Sequence, residues 1–254
     1  MKLQHLSASR IKTFEQCQMQ YWAQYDLGMK GDYSHPLTIM GKAYHKVFEV
    51  STKARLIGNH DNLKDPFSLI KPAMRKYGVE AQYFDLLTEL VGNAIDWGYF
   101  RRVDLCHWTE VKFDELLLDG TSVVGFIDRL DLLSGGRADI IDLKTQKRMF
   151  TNEQLENNWQ ADIYNWALRK IMPQVTGDVT VSFWVVRHHV QRVVRTADDA
   201  ARTEIKLLEM ANKIRECKAL TMSPTVLCNW CLYKDECPAK NENVKQRLKR
   251  RTTK

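Results

Sequence analysis

The sequence has little of what marks fibrous, disordered or membrane-spanning chains. Glycine and proline contribute only 12 and 6 of its 254 residues, which excludes a collagen-like or low-complexity chain. Its longest apolar runs, such as 179–186, fall far short of the ~20 residues that cross a bilayer. Residues 1–12 also lack the apolar stretch of a signal peptide. We therefore expect a soluble cytoplasmic protein with no membrane partner.

The composition is that of a folded, basic protein. Apolar residues make up 44% and charged residues 27% of the chain, whose net charge is +7. A basic balance favours polyanionic partners such as DNA, although the basic residues of 241–254 also fit a solvated tail. We predict one domain over 1–240, mainly helical over 1–104, with a sheet over 105–196 and a helix with a cysteine loop over 197–240. The basic tail over 241–254 follows.

The period of the apolar residues predicts the order of the elements. Helical periodicity covers 6–27, 37–57, 66–77 and 80–102. Alternation then predicts strands over 105–118, 121–133 and 138–145, the first two joined by a type I′ turn at Asp119-Gly120. A helix over 152–172, strands over 178–187 and 190–196, and a helix over 197–217 follow. This order predicts an α/β fold with a mixed central sheet flanked by helices.

Two acids and a lysine are predicted to converge on adjacent strands. Alternation places Asp128 on one face of its strand, in a row with Phe126 and Leu130. Asp142 and Lys144, two residues apart on the next strand, share a face. A buried carboxylate needs a cation or a base beside it. The grouping suits phosphodiester hydrolysis, in which two carboxylates hold a divalent cation against the phosphate.

A structural ion pair explains the same residues without chemistry. Either aspartate could pair with Lys144 or Arg129 beneath a helix. The strands alone leave both explanations open.

Several motifs, in order along the chain, resemble those of the RecB-like nucleases, a branch of the PD-(D/E)XK superfamily with a restriction-endonuclease-like fold. They are Gly41-x3-His45-x3-Glu49, Gly125-Phe-Ile-Asp128-Arg129, Ile140-Ile-Asp142-Leu-Lys144-Thr145 and Gln160-x3-Tyr164. The resemblance covers most of the chain. One departure is Ile127, which stands where the superfamily has the proline of its name.

The resemblance implies a role for each matching residue. The implied ligands of a catalytic Mg²⁺ or Mn²⁺ are His45, Asp128, Asp142 and the backbone carbonyl of Leu143. Lys144 would orient the attacking water and stabilise the phosphate, while Gln160 and Tyr164 would contact the nucleic acid. Glu49 and Glu110 fit either a second metal site or an ion pair, and we favour the structural role for both.

The cysteines extend the resemblance to an iron-sulfur subgroup of these nucleases. The implied ligands of a [4Fe-4S] cluster are Cys17, Cys228, Cys231 and Cys237, and such a cluster would clamp the two ends of the fold together. A zinc ion bound by four thiolates is the chemical rival. The other two cysteines, Cys106 and Cys217, are predicted to be plain thiols.

We therefore predict a metal-dependent DNA nuclease, most simply an exonuclease on single-stranded or end-containing DNA. The alternatives are a catalytically inactive DNA-binding or scaffold subunit of a repair, recombination or spacer-acquisition complex, and a structure-selective endonuclease. Protein partners and an oligomer are both compatible with the sequence. Of the tryptophans that could stack on bases, we expect Trp159, Trp166 and Trp184 to lie mostly in the core and single out Trp230.

Overall fold

The fold is a five-stranded mixed sheet with helices on both faces. The computed structural model describes residues 1–29, 35–57, 65–218, 220–225, 228–229, 231–235 and 237–239. Trp230 and the tail over 241–254 lie outside the described residues. The sheet confirms the predicted mixed α/β architecture, and its strands are β1 (Cys106–Leu116), β2 (Ser122–Leu133), β3 (Arg137–Lys144), β4 (Val179–Val185) and β5 (His189–Arg195).

The strands lie in the order β1-β2-β3-β4-β5. Strands β3 and β4 run parallel, and the other neighbours are antiparallel. The α-helices of the described residues are α1 (Ala8–Gln16), α2 (Gln18–Tyr21), α3 (Pro36–Leu56), α4 (Pro66–Tyr77), α5 (Phe84–Asp96), α6 (Asn152–Glu156), α7 (Trp159–Ile171) and α8 (Ala197–Glu216). The parallel pair of strands needs a crossover connection, which α6 and α7 provide. Among these residues, no helix is long and apolar enough to cross a membrane.

The two faces of the sheet carry separate apolar cores. Side chains of α1, α7 and α8 pack on one face, which includes Ile140 of β3. Side chains of α3, α4 and α5 pack on the other, which includes Ile141. Adjacent residues of β3 therefore enter different cores, as the alternation of a strand buried on both faces requires. We refer to these as the α7 face and the α3 face.

Strands β2 and β3 diverge at one end. Their ladder ends at the pair Arg129 and Ile141. Beyond that pair the Leu143 amide donates to the carboxylate of Asp128 at 2.8 Å, and a residue of the N-terminal segment, Leu6, pairs with Val123 of β2. This divergence leaves space between the ends of β2 and β3 for functional side chains.

Two predicted helices are broken in the structure. The helix predicted over 6–27 is interrupted at Cys17, whose φ of −164° and ψ of 113° are extended, and it continues as α2 and a π-helix over Trp22–Asp26. Cys17 therefore lies between two helices and not within one. The helix predicted over 152–172 is divided into α6 and α7. The Asn158 side chain accepts hydrogen bonds from the backbone amides of Gln160 and Ala161, and so caps the start of α7.

The turn predicted at Asp119-Gly120 is of a different type. A type I′ turn needs positive φ at both central residues, but φ is positive only at Gly120, where it is +80°. The Gly120 amide donates to the Leu117 carbonyl at 3.0 Å, and the Leu117 amide donates to Thr121 at 2.9 Å. The hairpin therefore uses a longer loop that ends in a left-handed glycine.

We predicted that Phe126, Asp128 and Leu130 lie in a row on one face of β2, and this prediction is wrong for Leu130. Ile127 and Leu130 both pack in the core of the α7 face, although they are three residues apart. Asp128 instead contacts α3. The interruption lies opposite Glu110 of β1, whose φ of 52° is the one positive value at a non-glycine position in the described residues. The left-handed backbone of Glu110 in β1 thus lies opposite the point at which the side chains of β2 depart from regular alternation between the two faces of the sheet.

Candidate active site

Helix α3 brings an imidazole to the divergent end of β2. The helix begins at Pro36, with His35 as its cap, and Gly41 lets it approach β3, since a Cβ there would lie 3.3 Å from Thr145 Oγ1. His45 Nδ1 lies 3.3 Å from Asp128 Oδ2. Burial disfavours the charged imidazole, but the Asp128 carboxylate outweighs it and raises the pKa of His45 to about 9.

The Asp128 carboxylate is buried and is held in its ionised form. Burial alone would raise its pKa, but the His45 imidazole and the Leu143 amide lower it below the ordinary aspartate value. The backbone of Leu143 is thereby fixed against Asp128, which places the Leu143 backbone beside the site, as the predicted carbonyl ligand requires.

Helix α7 supplies a second set of contacts, around Asp142. Lys144 Nζ lies 2.6 Å from Asp142 Oδ2 and donates to Gln160 Oε1 at 2.9 Å. Gln160 Nε2 donates to Asp142 Oδ1 at 2.7 Å. One turn later the Tyr164 hydroxyl reaches the same oxygen at 3.2 Å and also donates to the Phe126 carbonyl. The spacing of four residues puts Gln160 and Tyr164 on one side of α7.

Asp142 is buried, and both of its oxygens have polar partners. Gln160 and Tyr164 reach Oδ1, and the Lys144 ammonium lies 2.6 Å from Oδ2. Burial raises the pKa of Asp142, Lys144 opposes that change, and the charge of Asp128 adds to it. The Lys144 ammonium therefore offsets part of the cost of burying this carboxylate.

Glu110, which we predicted to be structural, lies in the site. Ligand atoms of His45, Glu110 and Asp128 all lie within 4.8 Å of one another. Within the described residues, the Glu110 carboxylate takes part in no ion pair. Burial, with the nearby charge of Asp128, raises the pKa of Glu110 to about 7. The hairpin could have revealed it, because counting outward from Asp119 sets residue 110 opposite residue 128.

Glu49 behaves differently from Glu110. Its carboxylate pairs with Lys46 and Lys53 on the same helix, both at 2.7 Å. These pairs fit the structural role that we favoured for Glu49.

A cavity of about 600 Å³ opens beside these residues. Its walls come from α3, the end of β3 and the residues that follow β3. Its lining includes four lysines, namely Lys42, Lys46, Lys144 and Lys147. Clustered cations on a concave surface favour a phosphate backbone.

The donor set fits a hard divalent cation. Carboxylate oxygens of Asp128, Asp142 and Glu110 are the ligands that Mg²⁺ and Mn²⁺ prefer, and an imidazole is compatible with Mn²⁺. The group of three ligand atoms around Asp128 is the observation that supports the fit.

The four predicted cluster cysteines also lie near one another. Burial raises the pKa of Cys231, the Tyr233 amide lowers it, and the neighbouring Cys17, Cys228 and Cys237 raise it further. The extended break at Cys17 thus occurs where the N-terminal segment meets the C-terminal loop. Tyr233 donates to the Met29 carbonyl at 3.2 Å, which joins the same two segments. Among the described residues, the sulfurs of these cysteines do not form a group of three or more within 4.8 Å of one another.

The remaining predicted residues have structural surroundings. Trp166 and Trp184 are buried in the two cores, and the indole of Trp159 donates to Glu15 at 3.1 Å. Arg129 pairs with Asp131 at 2.6 Å rather than with either site aspartate.

Fold and site together define a class of protein, the nucleases built on a mixed sheet whose central strands carry two acids and a lysine. The profile of the PD-(D/E)XK nuclease superfamily matches residues 5–238, and the chain belongs to that superfamily.

Individual relatives agree with this assignment. The chain is 28% identical over 165 residues to a subunit of the ATP-dependent helicase/deoxyribonuclease of Streptococcus agalactiae, in serotypes Ia and V alike. The match covers 60% of this chain and spans only 15% of that relative. Among solved structures, the protein named "Putative exonuclease" from Eubacterium rectale aligns with a TM-score of 0.56 at 12% identity, over 94% of this chain and 88% of that one. This likeness shows the shared fold.

Proposed function

We propose that the protein is a Mg²⁺- or Mn²⁺-dependent deoxyribonuclease, and specifically an exonuclease on single-stranded or end-containing DNA. The observation that carries the proposal is the group of His45, Glu110 and Asp128, whose ligand atoms all lie within 4.8 Å of one another. A purely structural cluster would pair each acid with a base, but Glu110 takes part in no ion pair among the described residues. The names of the two relatives support the exonuclease and DNA assignments.

The residues that would hold the cation are His45, Glu110, Asp128, Asp142 and the Leu143 carbonyl. When bound, a divalent cation lowers the pKa of its water and neutralises charge on the phosphate. The protein's own part is to position these donors. The Leu143 amide and the His45 ring also keep Asp128 ionised.

Lys144 would stabilise the charge that develops on the phosphate. Its ammonium is held between Asp142 and Gln160, so it needs little reorganisation during the reaction. Gln160 bridges Lys144 and Asp142 and therefore positions both. Burial raises the pKa of Tyr164 well above its ordinary value, so its hydroxyl stays a donor to Phe126. Direct contact of Gln160 and Tyr164 with DNA remains a prediction.

The four lysines of the cavity wall support a nucleic-acid substrate. Lys42, Lys46 and Lys147 line the same cavity as Lys144, and a sugar-phosphate chain lying there would neutralise them. Binding should accordingly weaken as salt rises, because each phosphate contact releases a counterion. The relative from a helicase/deoxyribonuclease complex supports a protein partner as well.

The test of hydrolysis uses Asp142→Ala on end-labelled linear DNA and closed circular single strands, with and without Mg²⁺. We expect the wild type to degrade the linear strand only with metal, and Asp142→Ala to bind DNA without degrading it. The matched control is Asp139→Asn, a half-buried acid on the same strand whose partner is Ser182 at 2.7 Å. Cleavage of closed circles would indicate an endonuclease, and binding without any cleavage by the wild type would indicate a scaffold role.

We also propose that Cys17, Cys228, Cys231 and Cys237 hold a [4Fe-4S] cluster that joins the two ends of the described chain. Such a cluster would stabilise the fold by closing a long loop. The purified protein should be brown and contain about four irons. Cys231→Ala should lose the colour, whereas the control Cys217→Ala should keep it. Stoichiometric zinc without colour would contradict the cluster.

A further inference from the structure

An exposed aromatic ring stands next to the carboxylates. Phe126 is 54% exposed, and Phe67, on α4, is the other exposed phenylalanine in the described part of the chain. An exposed phenylalanine ring forgoes the favourable free energy that burial of its apolar surface would contribute. Phe126 lies two residues before Asp128 on β2, about 6.8 Å along the strand.

The strand fixes which way this ring points. Val123 and Ile127 are fully buried in the core of the α7 face, so alternation directs Phe126 to the opposite face, with Asp128. Gly125 turns toward the core, where a Cβ would lie 2.2 Å from the Phe113 ring. The Phe113 ring therefore fills the space beneath the strand at Gly125, and the Phe126 ring cannot turn into the core there.

The backbone of Phe126 is tied to the site. Its carbonyl accepts the hydroxyl of Tyr164, which also contacts Asp142. Across the hairpin it pairs with Lys112, whose side chain shares its face. A ring held at a fixed offset from the carboxylates, with a cation beside it, has the two elements of a single-strand binding site, a stacking surface and a phosphate contact.

We infer that Phe126 is a stacking platform for a base of single-stranded DNA, one nucleotide from the phosphate at Asp128 and Asp142. The inference rests on the proposed function and names its substrate. A base inside a duplex is already stacked on both faces, so the platform selects a single strand or a frayed end. Lys112 would contact the phosphate next to that base.

The test measures binding of a fluorescein-labelled single strand and of a blunt hairpin duplex in Ca²⁺, which replaces Mg²⁺ to limit cleavage. Phe126→Ala should weaken single-strand binding roughly 5- to 100-fold, the range for loss of one stacked base, and leave duplex binding nearly unchanged. Phe126→Trp should restore it. Leu118→Ala is the matched control, because Leu118 is 86% exposed in the loop of the same hairpin and lies far from the carboxylates.

An abasic series makes the test independent of folding. Single strands with one abasic sugar at successive positions should show one position at which the wild type loses the same affinity, while Phe126→Ala loses nothing further there. Equal binding of all strands by wild type and Phe126→Ala would overturn the stacking role and leave hydrolysis intact. A wild type that binds no DNA would overturn both, whereas a wild type that binds but does not cleave would overturn hydrolysis alone.

Discussion

Strand β2 carries two buried aspartates three residues apart, and their surroundings differ. The Asp131 carboxylate accepts hydrogen bonds from Nε and Nη2 of Arg129, at 2.6 and 2.8 Å. The same guanidinium also donates from Nη1 to the Tyr99 carbonyl and from Nη2 to the Arg102 carbonyl. The Asp128 carboxylate contacts His45 and the Leu143 amide. It lies beside Glu110, which takes part in no ion pair among the described residues.

The difference separates a structural acid from a binding one. The Arg129 and Asp131 pair is complete within the protein, so nothing further is needed to bury it. At the divergent end of β2 and β3, the described residues bring three carboxylates together, those of Asp128, Asp142 and Glu110, with two bases, His45 and Lys144. This group of acids is incomplete, and a cation would complete it. Substitutions at the two kinds of acid should therefore have different consequences.

The largest effect should come from Lys144→Ala. Removing the ammonium beside Asp142 should lower the rate of DNA hydrolysis about 100- to 1,000-fold, because a preorganised charge at the phosphate is lost. Affinity for Mn²⁺ should be unchanged or higher. Single-turnover kinetics check the rate, with Lys170→Ala as the control, since Lys170 donates to the Leu116 carbonyl on the hairpin. A rate within about threefold of the wild type, under 1 kcal/mol, would refute the role.

Asp131→Asn should lower stability rather than chemistry. It leaves the buried Arg129 without its carboxylate, which costs about 3–5 kcal/mol in the free energy of unfolding. Urea unfolding measures the loss. The control Asp119→Asn removes an exposed pair with Arg215 and should cost at most about 1 kcal/mol. Equal losses in the two variants would remove the basis of the comparison.

Glu110→Gln should weaken metal binding about tenfold, since a carboxylate beside Asp128 is replaced by a neutral amide. Titration of the DNA-free protein with Mn²⁺, followed by electron paramagnetic resonance, measures the affinity. Glu49→Gln is the control, because that carboxylate is already paired with Lys46 and Lys53. An unchanged Mn²⁺ affinity would return Glu110 to the structural role that we first favoured.

Gly125→Ala should lower stability, because it forces a methyl group against the Phe113 ring. Overpacking of this kind costs about 1–3 kcal/mol of stability. Gly92→Ala in α5 meets its nearest atom at 3.9 Å and should instead stabilise by about 0.5–1 kcal/mol, because alanine favours a helix. Thermal unfolding of both variants decides, and a stabilised Gly125→Ala would contradict the packing argument.

The sequence predicted the elements whose pattern is regular. The apolar period located β3 within one residue at each end and α4 at its observed bounds, Pro66–Tyr77. Asp142 and Lys144 were expected on one face, and their side chains are in contact. These predictions succeeded because periodicity reports burial directly.

Local interruptions were not predictable from the same pattern. The break at Cys17 and the left-handed backbone at Glu110 are changes at single residues, which a period of 3.6 or 2.0 does not encode. The exposure of Phe126 was missed for the same reason, since alternation marked it as one of a row of apolar residues. In each case the departure from the regular pattern lies beside a candidate binding residue.

The central claim is that the incomplete acids bind the catalytic cation and the complete pair does not. The most direct test is Mg²⁺-dependent release of label from single-stranded DNA by the wild type, Asp131→Asn and Asp142→Asn, at a temperature where all three are folded. Our account predicts release by the wild type and Asp131→Asn and none by Asp142→Asn. Release by Asp142→Asn at the wild-type rate would contradict it.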